Sequence, residues 1–165
     1  MALIIENGSL VENATSFVTV DAARAFAEAR AATLPAADGD VETLLIQAMD
    51  LLEGLRDSFK GSKVDPATQA LQWPRQDVVI DGWEVPTDHI PKELIAAQCQ
   101  LAIEANLTDL APTGDGRDVI REKVDVLETE YAPGSGGVAQ PYFPKVQALL
   151  APLLKSAGGL RVGRI

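Results

Sequence analysis

Apolar residues recur at helical spacing in several stretches of this chain, and between them the pattern gives way to short β-prone runs and turn formers. Thr19 is suited to cap a first helix beginning near Val20. Asp21 favours the positive end of its dipole, and Ala22, Ala25, Phe26 and Ala29 form an apolar stripe. The period breaks from Leu34 to Gly39, where Pro35 and the Asp38-Gly39 pair stand. Asp40 is the expected N-cap of a second helix. In it Val41, Leu44, Leu45, Ala48, Leu52, Leu55 and Phe59 recur opposite Glu42, Asp50, Glu53 and Asp57, with Gly61 as the expected stop.

Helical periodicity is largely lost between Ser62 and Pro91. Asp65 to Leu71 suits one or two helical turns opened by Pro66, and Trp73-Pro74-Arg75 then demands an extended exit. Val78-Val79-Ile80 and Trp83-Glu84-Val85 flank Asp81-Gly82, a dipeptide suited to a tight hairpin. A third helix is expected from Pro91 to about Leu107. Its apolar residues surround most of the circumference, which implies burial on several sides, at the domain centre or partly at a subunit contact.

Val119 to Tyr131 alternates like a strand, as one long or two short segments. Residues 133–141, opening Pro133-Gly134-Ser135-Gly136-Gly137, read as a flexible linker. Pro144 opens a last helix through Val146, Leu149, Leu150, Leu153 and Leu154, kinked or ended by Pro152. The run Met1 to Ile5 reads as an edge strand or docking arm, able to pair within its own domain or with a neighbour. Residues 160–165 form a C-terminal tail with two arginines and no acid. The expected fold is mainly α: one domain over 1–165, a helical bundle of about four helices with small β-hairpin elements and extended terminal arms.

Composition narrows the function. The net charge of −10, from 24 acidic and 14 basic residues, repels a polyphosphate backbone, and an aromatic content of 5% offers few platforms for stacked bases. The single cysteine, Cys99, excludes an intrachain disulfide and reads as a small buried hydrophobe. No run reaches the roughly 18 apolar residues of a membrane span, and the N-terminus has no basic region leading into an apolar one. The expectation is a protein made and kept in the cytoplasm.

Candidate chemistry is sparse. The only histidine, His89, follows Asp88 directly, a spacing that rarely supplies catalytic geometry, and one His with one Cys cannot build a zinc shell. Gly134-Ser135-Gly136-Gly137 lacks the Lys and Ser or Thr of a phosphate-binding loop. Glu128 and Glu130 share a face if strand-borne, ordinarily a solvated one. No catalytic residue, cofactor or metal is therefore expected. Trp73 and Trp83 would dominate a contact if exposed, although core packing is the commoner fate of tryptophan.

Several segments in order carry a resemblance: Asn13 to Thr19, Gln69 to Arg75, Asp81-Gly82-Trp83, Ile90-Pro91, Arg121 to Val124, Tyr142-Phe143-Pro144 and Leu149 to Leu154. Together they resemble the head-tail connector (neck adaptor) proteins of tailed phages, a family that includes proteins labelled DnaT-like single-stranded DNA-binding. The resemblance implies a structural protein of the virion neck. Such subunits form a homo-oligomeric ring, a dodecamer matching the portal, and contact portal protein and a tail or stopper protein. Genomic DNA passes through the lumen without specific binding, and no membrane is involved. Candidate partner contacts are Trp73, Arg75, Trp83, Arg161, Arg164 and Ile165. The label implies the alternative, a single-stranded DNA-binding accessory protein, and an unrecognised enzyme comes third.

Overall fold

A computed structural model describes residues 2–110, 121–124, 127–130 and 142–155. The chain divides into two compact units, Met1–Leu110 with Phe143–Ile165, and Ala111–Tyr142. The linker expected at 133–141 and the tail at 160–165 lie outside the described residues.

The first unit is helix-dominated, with short β elements beside the helices, as the periodicity predicts. Helix α1 spans Val20–Glu28, and Thr19 caps it by accepting from the N–H of Ala22 at 3.2 Å. Helix α2 spans Asp38–Gly54 with Ala37 at the N-cap, so the expectation that Asp40 caps it is incorrect. Asp38 and Asp40 both lie in the first turn, where they complement the dipole, and Asp38 is drawn aside by Arg24 at 2.8 Å. The helix also ends earlier than expected. Leu55 is the C-cap, a tight turn follows in which Ser58 donates to the Leu55 carbonyl, and Phe59 leaves to pair with Leu154.

Helix α3, Lys92–Ala105, runs through the middle of this unit against α1, α2 and α4, the last spanning Pro144–Leu150. That position explains why Leu94, Ala97, Cys99, Leu101, Ala102 and Ile103 are all buried. Each large aliphatic side chain so buried contributes roughly 1.5–3 kcal/mol of transfer free energy. A single 3-10 turn at Ala151–Leu153 carries Pro152 and ends the described helical structure.

The apolar N-terminus pairs within its own unit. Ile5 bridges Ser16 in parallel, and the N–H of Glu6 donates to the Ser16 carbonyl at 2.8 Å. Glu6 is only 1% exposed, and its carboxylate accepts from the N–H groups of Gly8, Leu10 and Val11 at 2.7–3.2 Å. Three backbone donors thereby satisfy a buried charge that would otherwise be costly.

The β structure is small. Strand β1 (Ser62–Lys63) pairs antiparallel with β2 (Arg75–Gln76), and β3 (Val79–Ile80) with β4 (Trp83–Glu84). Between β1 and β2 the Asp65 segment makes a single turn. The Asp65 carboxylate accepts from the N–H groups of Ala67 and Thr68 and from the Thr68 hydroxyl. The Trp73-Pro74 peptide is cis.

In the second unit β5 (Arg121–Val124) pairs antiparallel with β6 (Leu127–Glu130), which resolves the expected alternation into two short strands. The register sets Glu128 opposite Lys123 and Glu130 opposite Arg121.

Candidate interaction surface

The segment from Trp73 to His89 contains three of the six expected contact residues, and the fold sends them in opposite directions. Trp73 is fully buried, with its ring edge-on to Phe59 at 6.0 Å between centroids. Its Nε1 has no acceptor among the described residues. Arg75 is 5% exposed and donates to the carbonyls of Lys60 (2.8 Å), Gly61 (2.8 Å) and Gln72 (3.3 Å). Desolvation lowers its pKa from the ordinary arginine value, with the Glu53 carboxylate acting against that shift. Both side chains are thus occupied in holding the segment around β2 against Phe59, Lys60 and Gly61, and neither is exposed.

Trp83 differs. Asp81 (φ 51°) and Gly82 (φ 81°) both adopt left-handed backbone, the pair of conformations that a two-residue hairpin of this hand requires. The alternation puts Val78, Ile80, Trp83 and Val85 on one face of β3 and β4. Val78 and Val85 are buried and Ile80 half-buried, but the hairpin tip overruns the core and leaves Trp83 54% exposed. His89 meets its ring edge-on at 6.2 Å.

Asp77, Asp81, Glu84 and Asp88 flank this tip, all exposed, and none makes a side-chain hydrogen bond or ion pair among the described residues. On the other face of the hairpin Val79 is 51% exposed. The surface is therefore an apolar tip set among carboxylates. Sequence reading singled out Trp83 but missed His89 beside it, because only the return of the chain after Pro86 brings the two rings together.

Basic groups are distributed differently. Arg24 donates to the carbonyls of Pro35 and Ala36 and to Asp38. Arg30 lies over the Phe26 ring at 3.4 Å. Lys60, Lys63 and Lys155 donate to carbonyls of their own chain. Arg56 just after α2, Lys92 at the start of α3 and Lys145 in α4 are exposed.

No group of three or more metal-ligating side chains converges among the described residues. An open depression of about 400 Å³ between α1 and the loop after it is lined by Arg24, Glu28, Thr33 and Leu34 with neighbouring alanines, and holds no paired acid and base. Burial pushes the Cys99 thiol up to about 12, which keeps it protonated and inert. No helix among the described residues is long and apolar enough to cross a membrane. Arg161, Arg164 and Ile165 lie outside the described residues.

Neither a curated protein nor a solved structure matches the chain. A protein-family model does, and over its full length. Residues 1–165 match the family described as "Putative DnaT-like ssDNA binding protein", and the chain belongs to that family.

Proposed function

We propose that this protein is a non-catalytic assembly subunit whose ligands are other proteins, and that it acts as a connector in the neck of a tailed phage, in a ring between portal and tail. One observation carries the protein-binding part. The chain carries a net charge of −10, and exposed carboxylates at Asp77, Asp81, Glu84 and Asp88 have no partner among the described residues, a balance that favours a passage DNA can slide through over one that grips it. The phage setting rests on the resemblance of ordered segments alone.

The second reading is single-stranded DNA binding, and the family match favours it over the connector because the family's description names that ligand. Exposed Trp83 adds a possible stacking platform, since aromatic rings accept any base. One pair of measurements separates the two. Anisotropy titration with a labelled oligothymidine at low and high salt is expected to give no strong salt-dependent binding, while mixing with isolated portal rings is expected to yield stacked rings in electron micrographs. Tight binding to the oligonucleotide that weakens steeply with salt, without attachment to portal, reverses the order of the two readings.

A further inference from the structure

The N-terminal segment contains the one Asn-Gly pair of the chain, Asn7-Gly8. An asparagine followed by glycine is especially prone to deamidation, because a glycine nitrogen unhindered by a side chain can approach the carboxamide carbon. Asn7 is exposed, so burial keeps neither its side chain nor water out of reach.

The fold nevertheless restrains both reacting groups. Gly8 is buried, and its N–H donates to the Glu6 carboxylate at 2.7 Å. Attack requires that N–H to lose its proton, and a carboxylate held against it opposes the build-up of negative charge on nitrogen. Asn7 Oδ1 accepts from the Ser9 N–H at 3.1 Å and from the Ser9 hydroxyl at 2.7 Å, which restrains rotation of the carboxamide. The N–H groups of Leu10 and Val11 close the same loop onto Glu6.

We propose that Asn7 is a deamidation site gated by the fold, protected while the Glu6 carboxylate holds residues 6–11 closed and reactive when that loop opens. In the open loop the Gly8 nitrogen bonds to Asn7 Cγ, the Cγ–Nδ2 bond breaks, and the proton from the Gly8 nitrogen leaves with Nδ2 as ammonia. Water then opens the cyclic imide at either carbonyl, giving aspartate or isoaspartate. Isoaspartate adds a backbone carbon directly before Gly8, where the Asp88 carbonyl leaves no room even for a Cβ, so the modified loop cannot close as before. A transient opening becomes a permanent one. The inference goes beyond the proposed function and stands whichever ligand the protein binds.

The full-length protein, incubated at neutral pH in buffer and in urea, tests it. Peptide mapping reads the change of amide to acid at Asn7, and enzymatic methylation reads isoaspartate. A hydrogen bond to a charged acceptor should slow the folded reaction on the order of ten- to a hundredfold relative to the unfolded chain. Glu6→Gln should remove most of that protection. Ser9→Ala, at an exposed position, leaves the buried carboxylate in place and should speed the folded reaction by about two- to tenfold. If Glu6→Gln loses its helical circular dichroism, the Ser9→Ala rate decides. The fraction containing isoaspartate should exchange amides over residues 4–16 faster than unmodified protein. Equal rates in folded and unfolded chains, unchanged folded rates in both variants, or native protection in the isoaspartate fraction overturns the proposal.

Discussion

The Gln98 side-chain amide donates to the Ser16 hydroxyl at 2.8 Å across 82 positions of sequence. The same amide donates to the Leu45 carbonyl at 3.2 Å, and the Gln98 carbonyl oxygen accepts from the N–H of Phe17 at 3.0 Å. One fully buried side chain thus joins α3, α2 and the N-terminal segment. Gln98→Ala would leave these groups unpaired around a new cavity and is expected to cost about 2–4 kcal/mol, read as a lower urea midpoint. Gln98→Glu has nearly the same shape but would point a buried carboxylate at the Leu45 carbonyl. It should be less stable than wild type at neutral pH and recover part of the loss in acid.

Local signals in the sequence were legible where local chemistry decided the outcome. Thr19 caps α1 because a hydroxyl followed by helix formers needs nothing from elsewhere, and Asp81-Gly82 turns because that pair tolerates left-handed backbone. The start of α2 was not legible, since Asp38 and Asp40 are both plausible caps by type and a contact from Arg24 on α1 engages one of them. Trp73 and Trp83 have similar turn-rich neighbourhoods and opposite burial. What separates them is how far the core extends beneath each, which no local pattern encodes. Gln98 and Glu6 went unnoticed because a polar residue within an apolar run gives no sign of the long-range or looped-back donors that satisfy it.

Arg75 illustrates the hazard of reading an arginine beside a tryptophan as a contact. Its guanidinium reaches Lys60, Gly61 and Gln72 at once, a fork that a lysine ammonium cannot reproduce. Arg75→Lys is expected to lower stability by about 2–4 kcal/mol, with the loss visible as faster amide exchange from Lys60 to Gln76. Trp83→Ala, by contrast, should leave the unfolding midpoint almost unchanged, since its ring contributes little to the core. A reversed outcome, with Trp83 structural and Arg75 dispensable, would place the exposed surface on the wrong residue.

Two carboxylates should give the pH profile of stability opposite slopes. Desolvation raises the pKa of Glu53 from 4.5, against the lowering effect of its hydrogen bond from Gln72. The folded state therefore holds the Glu53 proton to higher pH than the unfolded chain does, and stability falls as pH rises from 4.5 through the folded value. Asp65 runs the other way. The Thr68 hydroxyl and the N–H groups of Ala67 and Thr68 lower its pKa below 3.8, so its contribution is present above 3.8 and lost as pH falls through the folded value. Urea unfolding measured from about pH 3 to 7 should show Glu53→Gln removing the decline above 4.5 and Asp65→Ala flattening the acid limb.

Gly8 offers the sharpest test of how the N-terminal segment is held. Its φ of +105° lies in the region that disfavours side chains, and a Cβ there would run into the carbonyl oxygen of Asp88. Backbone cannot yield as a flexible side chain would, so Gly8→Ala must displace either the Glu6 loop or the segment before α3. Displacing the loop would pull N–H donors from the Glu6 carboxylate and leave a buried charge under-satisfied. The expected cost is at least about 2 kcal/mol, combining strained backbone with lost hydrogen bonds. Amide exchange should localise the damage to residues 4–16 and 86–90. Unchanged protection in both stretches would mean that the close approach of Gly8 to Asp88 is not part of the folded state in solution.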